Sequence, residues 1–169
     1  YLQNKFRMDY SKLLQNLQQK FEKQIVSTDD SADIFTVVVE AAAIKSIISW
    51  LKSEQEFIFL TDICGIQFPE QELEFGVIYH LHNLVANARL RLKVFVTREN
   101  PVVPSIVDVF SGANWMERET FDFYGIQFEG HPNLTRILNV EYMDYHPLRK
   151  EYPLEDATRD DKDDRYFGR

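Results

Sequence analysis

The stretch LEFGVIYHLHNLVANARLRLKVFV, residues 73–96, alternates too regularly to be anything but β-structure. Leu73, Phe75, Val77, Tyr79 and Leu81 alternate with Glu74, Gly76, Ile78 and His80. Past a turn near Val85–Ala88, Leu90, Leu92, Val94 and Val96 alternate with Arg89, Arg91 and Lys93. Successive strand side chains point to opposite faces, so the pair reads as an antiparallel hairpin with one buried and one polar face. Upstream, Leu13, Leu14, Leu17 and Phe21 recur at helical spacing, which predicts an amphipathic helix from about Asp9 with Asp9 or Ser11 as N-cap. Ile34–Glu40 is short and β-branched, Ile44, Ile47, Ile48 and Leu51 mark one helix face, and Phe57–Ile63 is apolar again, giving a strand, helix, strand order. Downstream, Pro101–Pro104 ends the sheet. A helical stretch is expected from about Ile106, broken near Gly112, to Tyr124, with Gly125 at its C-terminus. The fold class expected is α+β: a mixed or antiparallel sheet of about four strands packed with helices, followed by an extended irregular C-terminal tail.

At 169 residues the chain suits one domain with a terminal extension. Hydrophobic residues make up 44% and charged residues 27%, the balance of a globular protein. No apolar run approaches the ~20 residues of a membrane helix. A formal net charge of −8 argues against a nucleic-acid or anionic-membrane binder. The one cysteine, Cys64, makes no internal disulfide and by itself holds neither an iron–sulfur cluster nor a structural zinc, which favours a cytosol-like compartment. The amphipathic, glutamine-rich start YLQNKFRMDYSKLL is unlike a signal peptide, and Tyr1 in place of methionine points to a trimmed or partial chain.

The stretch ERETFDFYGIQFEGHPNLTRILNVEYMDYHPLRKEYP, residues 117–153, carries the functional information. His131-Pro132, His146-Pro147 and Tyr152-Pro153 break any long regular element. Yet the segment holds more aromatic and aliphatic side chains than an irregular strap can bury against itself, which implies a partner. The chain therefore divides into an α+β domain at 1–125 and an extended partner-binding tail at 126–169, with the strap beyond about Gly130 ordered only against that partner. The last stretch, EDATRDDKDDRYFGR (155–169), is expected to be disordered in isolation.

Among chemical candidates, a dinucleotide site needs a glycine-rich turn between strand and helix, and none of the six glycines forms one. Phosphate-loop and nucleophile-elbow patterns are missing too. His80 and His82 share one strand face at a spacing a metal could use, but no local third ligand accompanies them and a solvated face explains them better. Glu117, Glu119 and Asp122 could serve acid/base work. Arg118 lies at i, i+4 from Asp122 and can pair with it, and Arg136, Arg149 and Lys150 downstream supply cations, so the favoured reading is that the helix carboxylates clamp the returning strap. His131, locked before proline, reads as a hydrogen-bonded anchor.

The same residues resemble a known family. Glu117-Arg118-Glu119, Asp122, Phe123, Tyr124, His131, Arg136-Ile137-Leu138 and His146-Pro147-Leu148-Arg149-Lys150 with Tyr152-Pro153 are similar to the signature of the 30 kDa subunit family of proton-pumping NADH:quinone oxidoreductase, respiratory complex I. Pro101-Val102-Val103-Pro104-Ser105 and Gly112-Ala113-Asn114-Trp115 resemble it as well, so the likeness runs from about Phe57 to Tyr152. Two departures stand out: Thr135 where the family usually has a basic residue or proline, and Asn139-Val140 in place of Met-Pro. The resemblance implies a non-catalytic, cofactor-free peripheral-arm subunit, with FMN, iron–sulfur clusters, NADH and quinone handled by other subunits. Its neighbours would be the quinone-pocket subunit and the subunit holding the terminal iron–sulfur cluster, on the cytoplasmic side of the inner or plasma membrane. The nearest alternative is the homologous subunit of a membrane-bound hydrogenase or a photosynthetic NDH complex. An alternative of another class is a stand-alone metal-dependent enzyme or binding module using His80, His82, His131 and the carboxylates.

Overall fold

The computed structural model describes residues 9–31 and 33–152. The start YLQNKFRM, Pro153 and the 155–169 stretch lie outside the described residues. Helix α1 spans Tyr10–Phe21, with the Asp9 carboxylate accepting from the Ser11 and Lys12 N–H groups, so of the two expected caps Asp9 is the one used. It buries Leu13, Leu17 and Phe21. Strands β1 (Ile25–Asp29) and β2 (Phe35–Val39) follow, then α2 (Ile44–Glu54), β3 (Phe59–Gln67), β4 (Phe75–Asn83) and β5 (Ala88–Val96). The chain continues through β6 (Val102–Pro104), α3 (Ala113–Tyr124) and β7 (Gln127–Glu129). No helix among the described residues is long and apolar enough to cross a membrane.

The expected hairpin is the centre of the sheet. Strands β4 and β5 pair in antiparallel register from Phe75↔Val96 to Asn83↔Ala88, and their inward side chains are almost fully buried. The five-stranded order is β1-β2-β5-β4-β3, with β2 and β5 parallel and the other neighbours antiparallel. Carrying the chain through α2 from β2 to β3 moves it from one side of the hairpin to the other edge. One sheet face buries Val37, Val39, Ile63, Val77, Tyr79, Leu90 and Leu92 in a single core with α1 and with Ile44, Ile47, Ile48 and Leu51 of α2.

The architecture is α+β with a mixed sheet, one strand wider than the four expected. The added strand is β1, an edge strand whose four residues after Ile25 are all exposed, so its sequence carries no alternation to read. The helix expected from Ile106 is instead a run of turns, with Val109 and Phe110 N–H both donating to the Ile106 carbonyl, and the helix proper starts at Ala113. Residues after Gly125 do not leave the domain at once. Ile126 and Phe128 are buried in the core, and β7 pairs in parallel with β6.

Helix α3 packs on β3 at Gly65, where a Cβ would stand 2.5 Å from the Tyr124 ring and 3.1 Å from Thr120 Cγ2. A side chain there would lift the helix that carries the candidate site. Gly65→Val is expected to destabilise the chain by about 1–3 kcal/mol, the usual range for overpacking. Thermal melting checks it, and an unchanged midpoint would mean that α3 yields without strain.

Candidate functional site

The site is built on the last two turns of α3. Asp122 points inward, fully buried, and its carboxylate accepts five hydrogen bonds: Arg136 Nη1 at 2.7 Å, the Ile137, Leu138 and Asn139 N–H groups at 3.1, 2.8 and 2.9 Å, and Asn139 Nδ2 at 3.1 Å. Burial pushes this carboxyl up, but the Asn139 N–H, the Arg136 guanidinium and the Leu138 and Ile137 N–H groups outweigh it and hold it well below the usual carboxylate range. At neutral pH the group is therefore the anion. Arg136 turns its other nitrogen to the Met143 and Tyr145 carbonyls at 2.8 and 2.9 Å, so one guanidinium ties the helix to two further points of the strap.

Around this knot Arg118 and Arg149 find different partners from those expected, while His131 is the hydrogen-bonded anchor its place before proline suggests. Arg118 does not pair with Asp122: its guanidinium donates to the Thr135 and Arg136 carbonyls at 3.1 and 2.9 Å, because five donors from the strap already saturate the carboxylate. His146 Nδ1 donates to the Asp122 carbonyl at 3.0 Å, and burial, with the charges of Arg149 and Arg136, lowers its pKa and keeps the ring neutral. His131 accepts from the Asn133 N–H through Nδ1 and donates from Nε2 to the Asn114 carbonyl at 3.1 Å, which anchors the start of the strap at the far end of α3. Arg149 Nε donates to the Tyr124 carbonyl at 2.7 Å, and its guanidinium lies 4.9 Å from the Phe75 ring centroid. Gly125 makes room for this return at φ +75°, where a Cβ would come within 2.6 Å of both Arg149 and His146.

A second latch lies at the end of β3. Lys150 contributes its backbone N–H, which donates to Gln67 Oε1 at 2.6 Å, while Arg98 bridges Glu74 and Glu151 at 3.0 and 2.6 Å. Gln67, Glu74, Arg98 and Asn139 are not legible in the sequence as site residues. The first three sit inside or beside strand patterns, and Asn139 occupies one of the two positions that depart from the expected signature. Residues 131–152 thus fold back on their own domain, where the sequence points to order only against a partner. The buried anion supplies the local partner that composition does not reveal.

Of the three helix carboxylates only Asp122 clamps the strap. Glu117 faces the other way, fully buried, accepting from Ser105 Oγ at 2.6 Å and the Ile106 N–H at 2.8 Å. Among the described residues it has no ion-pair partner, and burial raises its pKa to about 7 against those two hydrogen bonds and the weaker pull of Lys45. Among the described residues the buried hydroxyl of nearby Tyr79 has no hydrogen-bond partner. Glu119 and Phe123 turn toward β3. On the open sheet face His80 Nε2 is taken by Arg91 and His82 Nε2 by Asn87, so the two histidines do not converge. No group of three or more candidate ligands for a metal occurs among the described residues.

The two buried acids titrate with opposite consequences. Asp122 is depressed when folded, so its contribution is present above the unfolded value near 3.8 and is lost as pH falls below it. Asp122→Asn should cost about 3–5 kcal/mol, as for breaking a buried ion pair, measured by denaturant titration at pH 7. A cost below ~1 kcal/mol would mean that the strap is held by its other contacts. Glu117 is raised from 4.5 to about 7 when folded, so its protonated form favours the fold below 4.5 and that advantage drains away as pH rises through 7. Stability should therefore fall between pH 4.5 and 7, and Glu117→Gln should flatten the slope; an equal slope in both chains would assign it elsewhere.

Comparison with known proteins follows the same residues. The family described as respiratory-chain NADH dehydrogenase, 30 kDa subunit, matches residues 37–158. An NADH-quinone oxidoreductase subunit of Methylobacterium radiotolerans is 46% identical over 121 residues, covering 70% of this chain and 56% of its own length. The chain thus spans little more than half of that relative. Among solved structures, the trypsin-resistant fragment of Nqo5 superposes with a TM-score of 0.66 at 29% identity, over 75% of this chain and all of the fragment. A chain of the membrane-bound sulfane sulfur reductase, an archaeal respiratory membrane complex, shares the fold with a TM-score of 0.73 at 21% identity, over 86% of each chain. The match takes in the central hairpin, α3 and the knot at Asp122, and the chain belongs to the respiratory-chain NADH dehydrogenase 30 kDa subunit family.

Proposed function

We propose that this chain is a non-catalytic subunit of the peripheral arm of a proton-translocating NADH:quinone oxidoreductase, where it supports assembly and the architecture around the quinone site. The carrying observation is the contrast within the strap. Its backbone is pinned by Asp122, Arg118 and Arg136, yet Leu138, Val140 and Tyr142 stand 65%, 46% and 89% exposed. A rigid apolar ridge left open to water is a surface shaped for another protein. The neighbours we assign to it are the quinone-pocket subunit and the subunit with the terminal iron–sulfur cluster, in a peripheral membrane complex on the cytoplasmic side. Electron transfer depends on fixed distances between cofactors, and a chain holding its neighbours rigid serves that need without a cofactor of its own. FMN, iron–sulfur clusters, NADH and quinone then belong to other subunits.

The second reading is a homologous subunit of a membrane-bound hydrogenase or photosynthetic NDH complex. What co-purifies decides between them. An affinity-tagged chain expressed in its own cells should bring down an NADH-oxidising flavoprotein under the first reading and a hydrogenase subunit under the second. The chain stripped of those partners should show no visible absorption. The double variant Leu138→Glu/Tyr142→Glu should keep its thermal midpoint, because both side chains are exposed, and lose about tenfold or more of the co-purifying subunits, as expected for removal of interface anchors. Undiminished recovery would place the interface elsewhere on the domain.

A further inference from the structure

The core lies on one face of the five-stranded sheet, and the opposite face is a surface of two halves. Register assigns its residues, since paired side chains share a face. Across the charged half run Asp29, Thr36, Arg91, His80 and Asp62, each paired with the next. The following rung on this face holds Val38, Lys93, Ile78 and Cys64, and the one after it Phe95, Gly76 and Ile66. Phe68 stacks there on Phe95 with ring centroids 6.2 Å apart. Val38, Ile66, Ile78 and Phe95 are only half-buried and take no part in the core on the other side.

The placement of charge on this face runs against the chain as a whole, whose formal net charge is −8. Arg89, Arg91 and Lys93 stand in file along β5, the central strand, while Asp29 and Asp62 stand on the two edge strands. Both acids already have neighbours. The Ser31 N–H and hydroxyl donate to Asp29 at 2.9 and 2.6 Å, and Asp62 lies 3.6 Å from His80. Arg91 donates to His80 Nε2 at 2.9 Å. Among the described residues, neither Arg89 nor Lys93 has a carboxylate within 4.0 Å. The face thus presents a file of cations, two of them without an ion-pair partner, leading into an apolar patch.

We propose that this face is a second docking surface and that its occupant is an acidic amphipathic helix of a neighbouring subunit, lying along β5. Three features select that occupant. The apolar rungs adjoin the cations, so whatever covers them has to bring carboxylates and aliphatic side chains together. Same-face residues on a strand are about 6.8 Å apart, so Arg89 to Lys93 spans about 13–14 Å, and carboxylates at i, i+4 and i+8 of a helix span about 12 Å. The acids at both edges repel a helix that slips sideways and so hold it over the central strand. A second copy of this chain fits badly, since stacking the two faces sets cation against cation. The stretch 155–169 of the chain itself interleaves its carboxylates with Arg159, Lys162 and Arg165, and before Tyr166 it holds no apolar side chain larger than Ala157 to cover Ile78. The assignment rests on the reading that the chain docks in a larger complex, and it adds a contact apart from the ridge on the strap.

Lys93 is the reporter, because a carbodiimide joins its amine to a carboxylate only at contact range. The complex recovered through a tag on this chain is treated with the carbodiimide, digested and read by mass spectrometry. The expected product joins Lys93 to an aspartate or glutamate of another subunit, in a peptide whose acids recur at three- or four-residue spacing. Lys93→Arg should abolish that product and keep the partners. Arg89→Glu/Lys93→Glu, at two water-accessible positions, should keep the thermal midpoint and cut recovery of the cross-linked subunit about tenfold or more, as for like charges set against each other across an interface. With the other subunits present, Lys93 left unjoined, or joined only to this chain or a second copy of it, would overturn the assignment and leave the docking proposal standing. Full recovery of that subunit by the charge-reversed variant would do the same. So would protection of Lys93 from acetylation by phosphatidylserine vesicles in place of the subunits, the mark of a lipid surface. Failure of the unaltered chain to recover any subunit would overturn both.

Discussion

A carboxylate with no exposure to water and no partner would cost several kcal/mol, and Asp122 is such a group in every respect except that residues 136–139 surround it with donors. The dependence runs both ways. The strap has little regular hydrogen bonding of its own, so its three consecutive N–H groups need an acceptor as much as the anion needs donors. Arg136 then extends the constraint outward by bonding the Met143 and Tyr145 carbonyls, and His146 closes the circuit on the Asp122 carbonyl. A segment with two internal His-Pro breaks is thereby given a single conformation without helix or sheet.

Glu117 and Asp122 stand on the same helix, equally buried, and their environments push them in opposite directions. Five donors with one full positive charge keep Asp122 ionised, whereas a hydroxyl and a single N–H leave Glu117 poised to bind a proton near neutrality. The helix is therefore fixed to the strap by charge on one side and to the Ser105–Ile106 turn by neutral hydrogen bonding on the other. Pre-organisation of this kind reduces the ordering entropy that an otherwise loose segment would lose on binding, and it explains how an irregular segment can serve as an interface.

The sequence makes the central hairpin legible because Phe75, Val77, Tyr79 and Leu81 face a dry core while His80 and His82 face outward, and that contrast is written as alternation. The α1 and α2 faces are legible for the same reason, at the helical period. Strand β1 is not, since an edge strand with one sheltered residue has nothing to alternate between. The turn run at Ile106–Gly112 reads as helix because local composition allows it; the Glu117 carboxylate, eleven residues on, takes the Ile106 N–H instead. At the site, residue types and the family signature identify the participants, but pairing follows from three-dimensional competition. Arg118 is nearer to Asp122 in sequence than Arg136 is, yet the strap brings its arginine together with three N–H groups, and a lone i, i+4 side chain cannot match that set.

The parallel pairing of β2 with β5 joins residues about 55 positions apart, Phe35 to Leu90 at its first rung. At a synthesis rate of about 5–20 residues per second, β2 waits roughly 3–11 s for the strand that covers it to be made. During that interval β1 and β2 can pair with each other and with α1, but the other edge of β2 has no neighbour, and Val37 and Val39 lack the hairpin half of their core. The last-made partner sits in the middle of the finished sheet, so this half-domain leaves apolar surface and a strand edge uncovered for seconds at a time, and substitutions that slow closure at β5 would be felt as lower yield of the chain before they were felt as lower stability.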